Sequence, residues 1–256
     1  MGTNVAGAAR EALGPVGAFL PVSMTSTPSA GLQREAVGRL ERAGYRAAWT
    51  NEALGGKDAL VQVAVLLAAT ERMVFGTGIA NIWAREPQMA HGAAALLAQA
   101  YPGRFVLGLG VGYPEQAAST GREFGRPLAT MRDYLDRMAA PAQPPAPDAA
   151  YPRIIAANGP KMLALAGEIA DGAIPAMQPP EFTAQARQVL GPDKLLVAGL
   201  RVAAGPDGDP ATMAARVREH LAAGADHVTL MLPIGTDYAA GVDQLERLAP
   251  VLAEVA

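Results

Sequence analysis

Short apolar runs and amphipathic stripes alternate eight times along this chain, and few folds accommodate that rhythm. The runs are 16–22, 45–50, 72–83, 104–109, 153–157, 172–175, 194–203 and 227–232. They read as continuous apolar strands, the pattern of parallel strands covered on both faces. Each is followed by a helical stretch, and eight βα units in 256 residues point to a closed (β/α)8 TIM barrel. An open doubly wound sheet is the alternative, because the sixth run, GAIP, is short.

Local punctuation places the helices. Leu32, Ala36, Val37 and Leu40 form one stripe within 31–44, stopped by Gly44. Asp58 precedes a helix over 59–69, and Pro87, Pro127 and Pro160 stand at first-turn positions, where proline is tolerated. Those three helices run to about Ala100, 139 and Ala170. Gly191 and Gly224 stop the helices 181–190 and 211–223, and a last helix covers 238–255. The low-complexity stretch 140–152 reads as a crossover within one barrel domain, 16–256. Residues 1–15 are left as an N-terminal segment whose order the sequence does not fix.

Composition excludes several functions. The net charge of −3, without a run of one sign, argues against a nucleic-acid partner. With no cysteine there is no disulfide, thiolate nucleophile or Cys-based zinc site. His91, His220 and His227 lack metal-ligand spacing, so no metal is expected. Neither a signal peptide nor a membrane-length apolar run is present, and a cytoplasmic location without a membrane is expected.

"RFVLGLGVGYPE" (104–115) places glycine at 108, 110 and 112. A dinucleotide loop requires G-x-G-x-x-G opening a helix. The third glycine is replaced by Tyr113 or Glu115, and with Pro114 next the sequence reads as having no helix start there. In a barrel the stretch instead reaches the mouth, where glycine admits a ring or phosphate to the backbone. Core packing accounts for the same glycines, and both readings stay open.

Barrel chemistry sits at the C-terminal strand ends. Here those are Pro21 to Met24, Thr50 to Glu52, Thr77 to Trp83, Gly110 to Glu115, Asn158 to Met162, Met177 and Gln178, Arg201, and Pro233. Gly159 and Pro160 open a helix, whose free N–H groups and dipole suit a phosphate, and Lys161 adds charge. An ordinary βα turn explains that stretch equally well. Glu52, with Asn51 beside it, serves as a general acid or base if a pocket raises its pKa, and otherwise as a surface carboxylate. Arg85 and Arg201 suit an acidic group or simply solvent.

"ERMVFGTGIANIWAREPQMAHGAAALLAQAYPGRFVLGLGVG", "FGRPLATMRDYL" and "NGPKMLALAGEIADG" together resemble the luciferase-like flavin and deazaflavin oxidoreductases, nearest in wording to actinobacterial members using coenzyme F420. The resemblance runs from about residue 16 to the C-terminus. It implies a bulge after strand three with a non-prolyl cis peptide at Gly78–Ile79. That places Thr77, Gly78 and Ile79 behind the cofactor ring, with Ala80 and Asn81 adjoining. It further implies that Gly110, Gly112, Asn158, Gly159, Pro160, Lys161 and Met162 receive the ribityl chain and phosphate.

Two departures stand out. Deazaflavin sugar-phosphate dehydrogenases of this type carry histidine where Glu52 stands and glutamate where Tyr113 stands. The long insertion after strand seven is reduced to "AAGPDGDPA" (203–211), a shortened barrel. Sugar-phosphate oxidation is therefore not expected. The expectation is an F420-dependent oxidoreductase moving a hydride between the cofactor's C5 and a small organic substrate. Glu52 is the first candidate for proton transfer, Asn51 and Tyr113 support it, and helices two and three pair in a homodimer. FMN in the same fold is one alternative, and a barrel that binds a flavin or phosphate ligand without turnover is another.

Overall fold

The structure is a computed structural model that describes residues 4–23, 25–203 and 208–255. Met24 of the first strand end and 204–207 of the shortened loop lie outside the described residues. Nine strand segments pair throughout in parallel: β1 Val16–Phe19, β2 Ala47–Thr50, β3 Val74–Thr77, β4 Ala80–Asn81, β5 Phe105–Gly110, β6 Arg153–Ile155, β7 Gly172–Ala173, β8 Leu195–Arg201 and β9 His227–Met231. β3 and β4 are two halves of one strand, broken at Gly78–Ile79, and β5 pairs with both. That pairing closes an eight-stranded barrel. The doubly wound alternative is excluded, because an open sheet has two unpaired edges and this one has none.

Around the barrel run α1 Val5–Leu13, α2 Ala30–Arg42, α3 Ala59–Leu67, α4 Pro87–Ala100, α5 Pro114–Ser119, α6 Pro127–Met138, α7 Pro160–Ile169, α8 Pro180–Leu190, α9 Pro210–Ala222, α10 Tyr238–Arg247 and α11 Pro250–Val255. Asp58 caps α3 as its position suggested, accepting from the amides of Leu60 and Val61. Three local expectations change. A helix does start at Pro114, because proline at the first helical position gives up only an N–H that would be unpaired anyway. The last helix breaks before Pro250, whose ring disfavours a helical residue ahead of it. Residues 5–13 form a helix: Asn4 caps it through Gly7, and Leu13 is fully buried.

Two apolar layers result. Leu196, Ala198 and Leu200 of β8 face the helices, while Leu195 and Val197 face inward with Phe19, Trp49, Val106 and Ile154. The interior is filled by branched aliphatic side chains, as barrel cores are, together with the Phe19 and Trp49 rings. A side chain on Gly76 would collide with the Trp49 indole, and one on Gly17 with the His227 imidazole. Trp49 Nε1 donates to His227 Nε2 at 3.0 Å, and His227 Nδ1 bonds the Gly14 carbonyl at 2.7 Å. The foot of the barrel is thereby plugged, and chemistry is left to the mouth.

Candidate active site

At the mouth the barrel wall is broken, and the break is bridged by side chains. The Gly78–Ile79 peptide is cis. Thr77 Oγ1 donates to the Gly108 carbonyl at 2.7 Å and accepts from the Gly108 amide at 2.9 Å, replacing ladder bonds where β3 gives way to β4. The three glycines of 108–112 have packing reasons of their own. A Cβ on Gly108 would strike the Thr77 carbonyl, one on Gly110 the Ile79 side chain, and one on Gly112 the Gln116 and Asn81 amides. Gly112 also has φ +58°, which a side chain disfavours. The glycines let two strands close around the break.

Glu52 is bound on both carboxylate oxygens. Its Oε2 accepts from the Asn81 amide at 2.6 Å and its Oε1 from the Ala59 amide at 3.2 Å. Arg85 then grips both oxygens, with Nη1 3.2 Å from Oε2 and Nη2 on Oε1. Arg85 also reaches Asp58 Oδ2 at 2.8 Å, and its carbonyl accepts from the Tyr134 hydroxyl. The Glu52 side chain is only 2% exposed. Four donors converge on this one buried carboxylate, so both of its oxygens are engaged within the protein. Glu52 ties the second strand end to β4 and to the start of α3.

A cleft of about 350 Å³ opens beside this network. Of the residues expected at the site, Asn51, Glu52, Gly78, Ile79, Asn81, Gly110, Gly112, Tyr113 and Asn158 line it. Thr77 and Ala80 do not: both are buried in the wall, Thr77 by its bridge to β5 and Ala80 against the helix layer. Gly159, Pro160, Lys161 and Met162 lie outside the lining as well, at the start of α7 next to Asn158. No side chain caps that helix, and a Cβ on Gly159 would meet nothing within 4 Å. Its first-turn N–H groups therefore remain available to an anion.

The polar groups facing the cleft are held from behind. Asn158 Oδ1 accepts from the Ala176 amide at 2.9 Å. Asn51 Oδ1 accepts from Lys57 Nζ at 2.8 Å, and its Nδ2 donates to the Glu52 carbonyl at 3.2 Å. Burial pulls the Lys57 amine down to about 8, against the opposing pull of Glu52. Gln116 accepts from Asn81 Nδ2 at 3.1 Å and from the Tyr113 amide at 2.9 Å. Tyr113 itself stands 70% exposed at the rim.

Sequence reasoning missed Lys57 and Gln116. Denying a helix at Pro114 hid Gln116, which occupies the third position of α5. The spacing of Lys57, one residue before the Asp58 cap, was a usable signal for the other. Among the described residues no group of three metal-binding side chains is found, and no helix is long and apolar enough to cross a membrane.

Comparison with known proteins agrees with this architecture. A protein of Mycobacterium tuberculosis assigned as a coenzyme F420-dependent oxidoreductase is 31% identical over 180 residues, which is 58% of this chain and 52% of that one. The 5,10-methylenetetrahydromethanopterin reductase of Methanolobus tindarius is 26% identical over 167 residues, 58% of this chain and 51% of its own. The matches thus span about half the length of these curated relatives. Among solved structures, an F420-dependent secondary alcohol dehydrogenase superposes with a TM-score of 0.75 at 16% identity, covering 93% of this chain and 99% of that one. The F420-dependent tetrahydromethanopterin reductase of Methanopyrus kandleri gives 0.71 at 16%, covering 91% and 97%. Identities this low speak for the fold alone. Residues 16–140, just under half of the chain, match the family model described as luciferase-like monooxygenase.

Proposed function

We propose that the protein is an oxidoreductase that binds coenzyme F420 in the cleft between the β3–β4 break and the start of α7, and acts on a small organic substrate. The observation that carries this reading is the cleft's construction. One wall is stripped of side chains at Gly78, Gly110 and Gly112, four side-chain amides (Asn51, Asn81, Gln116 and Asn158) line it, and an uncapped helix start adjoins it. That fits a flat ring with a phosphate-bearing arm: the bare wall against the ring, Gly159 and the α7 amides toward the phosphate, and Lys161 adding positive charge. When bound, the deazaflavin supplies hydride chemistry at its C5.

The chain's own residues do the positioning. Glu52 and Arg85 hold the broken strand in place. Lys57 orients the Asn51 carboxamide and leaves one of its N–H groups for a ligand. Tyr113 closes the rim. The M. tuberculosis relative supports F420 over FMN, while neighbours such as the Pseudomonas putida Baeyer-Villiger monooxygenase solved with FMN keep FMN as the second reading. A homodimer belongs to the same proposal. Val61 on α3 and Met89 and Leu96 on α4 are 64%, 68% and 57% exposed, an apolar face that a second copy would cover.

Side-by-side calorimetry with F420 and FMN tests the reading. Micromolar or tighter binding of F420, with FMN at least tenfold weaker, is expected. The reverse order moves the protein to FMN chemistry, and binding of neither ends the proposal.

A further inference from the structure

Alternation along β8 sends one charged side chain toward the barrel axis. Val197, Gly199 and Arg201 pair in register with His227, Thr229 and Met231 of β9. Val197 and Met231 belong to the interior cluster, and successive residues of a strand point to opposite faces. Arg201 is thus the interior-facing residue at the mouth end of a strand that is otherwise fully buried. The corresponding mouth positions on other strands are neutral: Asn51, Gly78, Gly110, Asn158 and Met231. In the ring of eight strands, β8 lies four strands from the β3–β4 break in either direction. Arg201 therefore stands at the mouth on the side opposite the break, outside the lining of the cleft.

Its surroundings form a second recess of about 370 Å³, lined by Met177, Gln178, Arg216 and Glu219 among others. Arg201 Nη2 contacts Met177 Sδ at 3.1 Å, a weak acceptor for a guanidinium. Arg216 Nη1 donates to the Arg201 carbonyl at 3.3 Å, which sets the two guanidinium-bearing residues side by side. Neither arginine makes an ion pair among the described residues. Met177 is the one non-glycine residue there with positive φ, at +58°. That conformation is disfavoured and gathers at ligand sites, and here it turns the thioether under Arg201. The recess holds two cations against the single carboxylate of Glu219, and burial together with Arg216 lowers the pKa of His220 behind it, against the opposing pull of Glu219 and Glu181.

We infer that Arg201, backed by Arg216 and Gln178, forms an anion subsite on the far side of the mouth, for a carboxylate or phosphate group. An arginine fork suits either group in bidentate geometry. The group belongs to the substrate or to an anionic arm of the cofactor. Only that question of ownership rests on the oxidoreductase reading.

The experiment is calorimetry of the full chain with inorganic phosphate and with succinate, each without cofactor and again with saturating F420. Arg201→Gln should weaken the anion at least tenfold, Arg216→Gln several-fold, and Arg201→Lys should recover part of the loss. Far-UV dichroism and Tm should be unchanged, since the Arg201 guanidinium bonds only a thioether among the described residues. An anion that still binds beside F420 assigns the subsite to the substrate. Competition with F420, together with a tenfold loss of F420 affinity in Arg201→Gln, assigns it to the cofactor. The proposal is overturned if wild type binds neither anion, or if both glutamine variants bind within twofold of it. If neither F420 nor FMN binds wild type, the oxidoreductase reading fails, while the cofactor-free titrations still decide the subsite.

Discussion

The two ends of this barrel treat polar groups in opposite ways. At the foot, His227 is fully enclosed between Trp49 and the Gly14 carbonyl, and burial drives its pKa down to about 4. Glycine at 17 and 76 makes room for the rings, and α1 packs near by. The Trp49 indole and both His227 ring nitrogens are thereby engaged. At the mouth, Glu52 and Arg85 are just as fully paired, yet Asn51, Asn158, Arg201 and the start of α7 keep donors facing open space. Saturated polar groups hold a structure, whereas unsatisfied ones at an opening mark where a ligand completes it.

The largest expected effect is at the Glu52–Arg85 pair. Arg85→Ala strands a buried carboxylate, and loss of one partner of a buried pair costs about 3–5 kcal/mol. Urea unfolding should show it, and adding Glu52→Gln to Arg85→Ala should recover a good part. An effect below 1 kcal/mol would make the network decorative and undo the contrast between anchoring and open polar groups.

The foot makes a prediction about pH. His227 is neutral in the folded barrel down to about pH 4, while the unfolded chain takes up the proton near its ordinary value of 6.5. The unfolded state therefore gains protons first as pH falls. Stability is whole above pH 6.5 and declines from there toward pH 4, by about 1.4 kcal/mol per unit within that window. Between pH 7 and pH 5 the loss should be about 2 kcal/mol. His91 and His220 shift in the same direction, so the difference between wild type and His227→Gln isolates this residue. A variant with the same slope as wild type would remove His227 from the account.

Gly112→Ala sharpens the mouth side. A methyl there meets the Gln116 and Asn81 amides at a positive φ, which should cost about 1–2 kcal/mol. F420 affinity should fall at least tenfold, because the bare wall is displaced. Unchanged affinity would mean that this glycine serves only the strand junction.

The smallest effect is expected at Lys57. With its amine near 8, the charge that steadies Asn51 is present below that pH and fades above it. F420 affinity should weaken a few-fold through pH 8, and Lys57→Met should flatten that step. An unaltered inflection in the variant would assign it to another group.

Legibility in the sequence followed the same division. Asp58 as a cap and Pro87, Pro127 and Pro160 as helix starts were readable because each acts on its own turn. Pro114 was misjudged for want of weighing its first-turn tolerance. The pairing of Glu52 with Arg85 is not legible in the sequence, since the two lie 33 residues apart and only closure of the barrel brings them together. The bridge from the Thr77 hydroxyl to Gly108 of β5 is likewise not legible locally, because it joins strands 31 residues apart.

By itself the sequence determined the eight βα units, the strand ends that form the mouth, and the absence of cysteine chemistry. Those follow from periodicity and residue type, which are local. Tertiary structure decided which polar groups pair and which remain open. Glu52 became an anchor because Arg85 and two backbone amides converge on it, and Arg201 faces inward because the register of β8 on β9 sets its parity. Neither outcome can be read from neighbours in the chain, since partners in a closed barrel are chosen by strand order and side-chain direction.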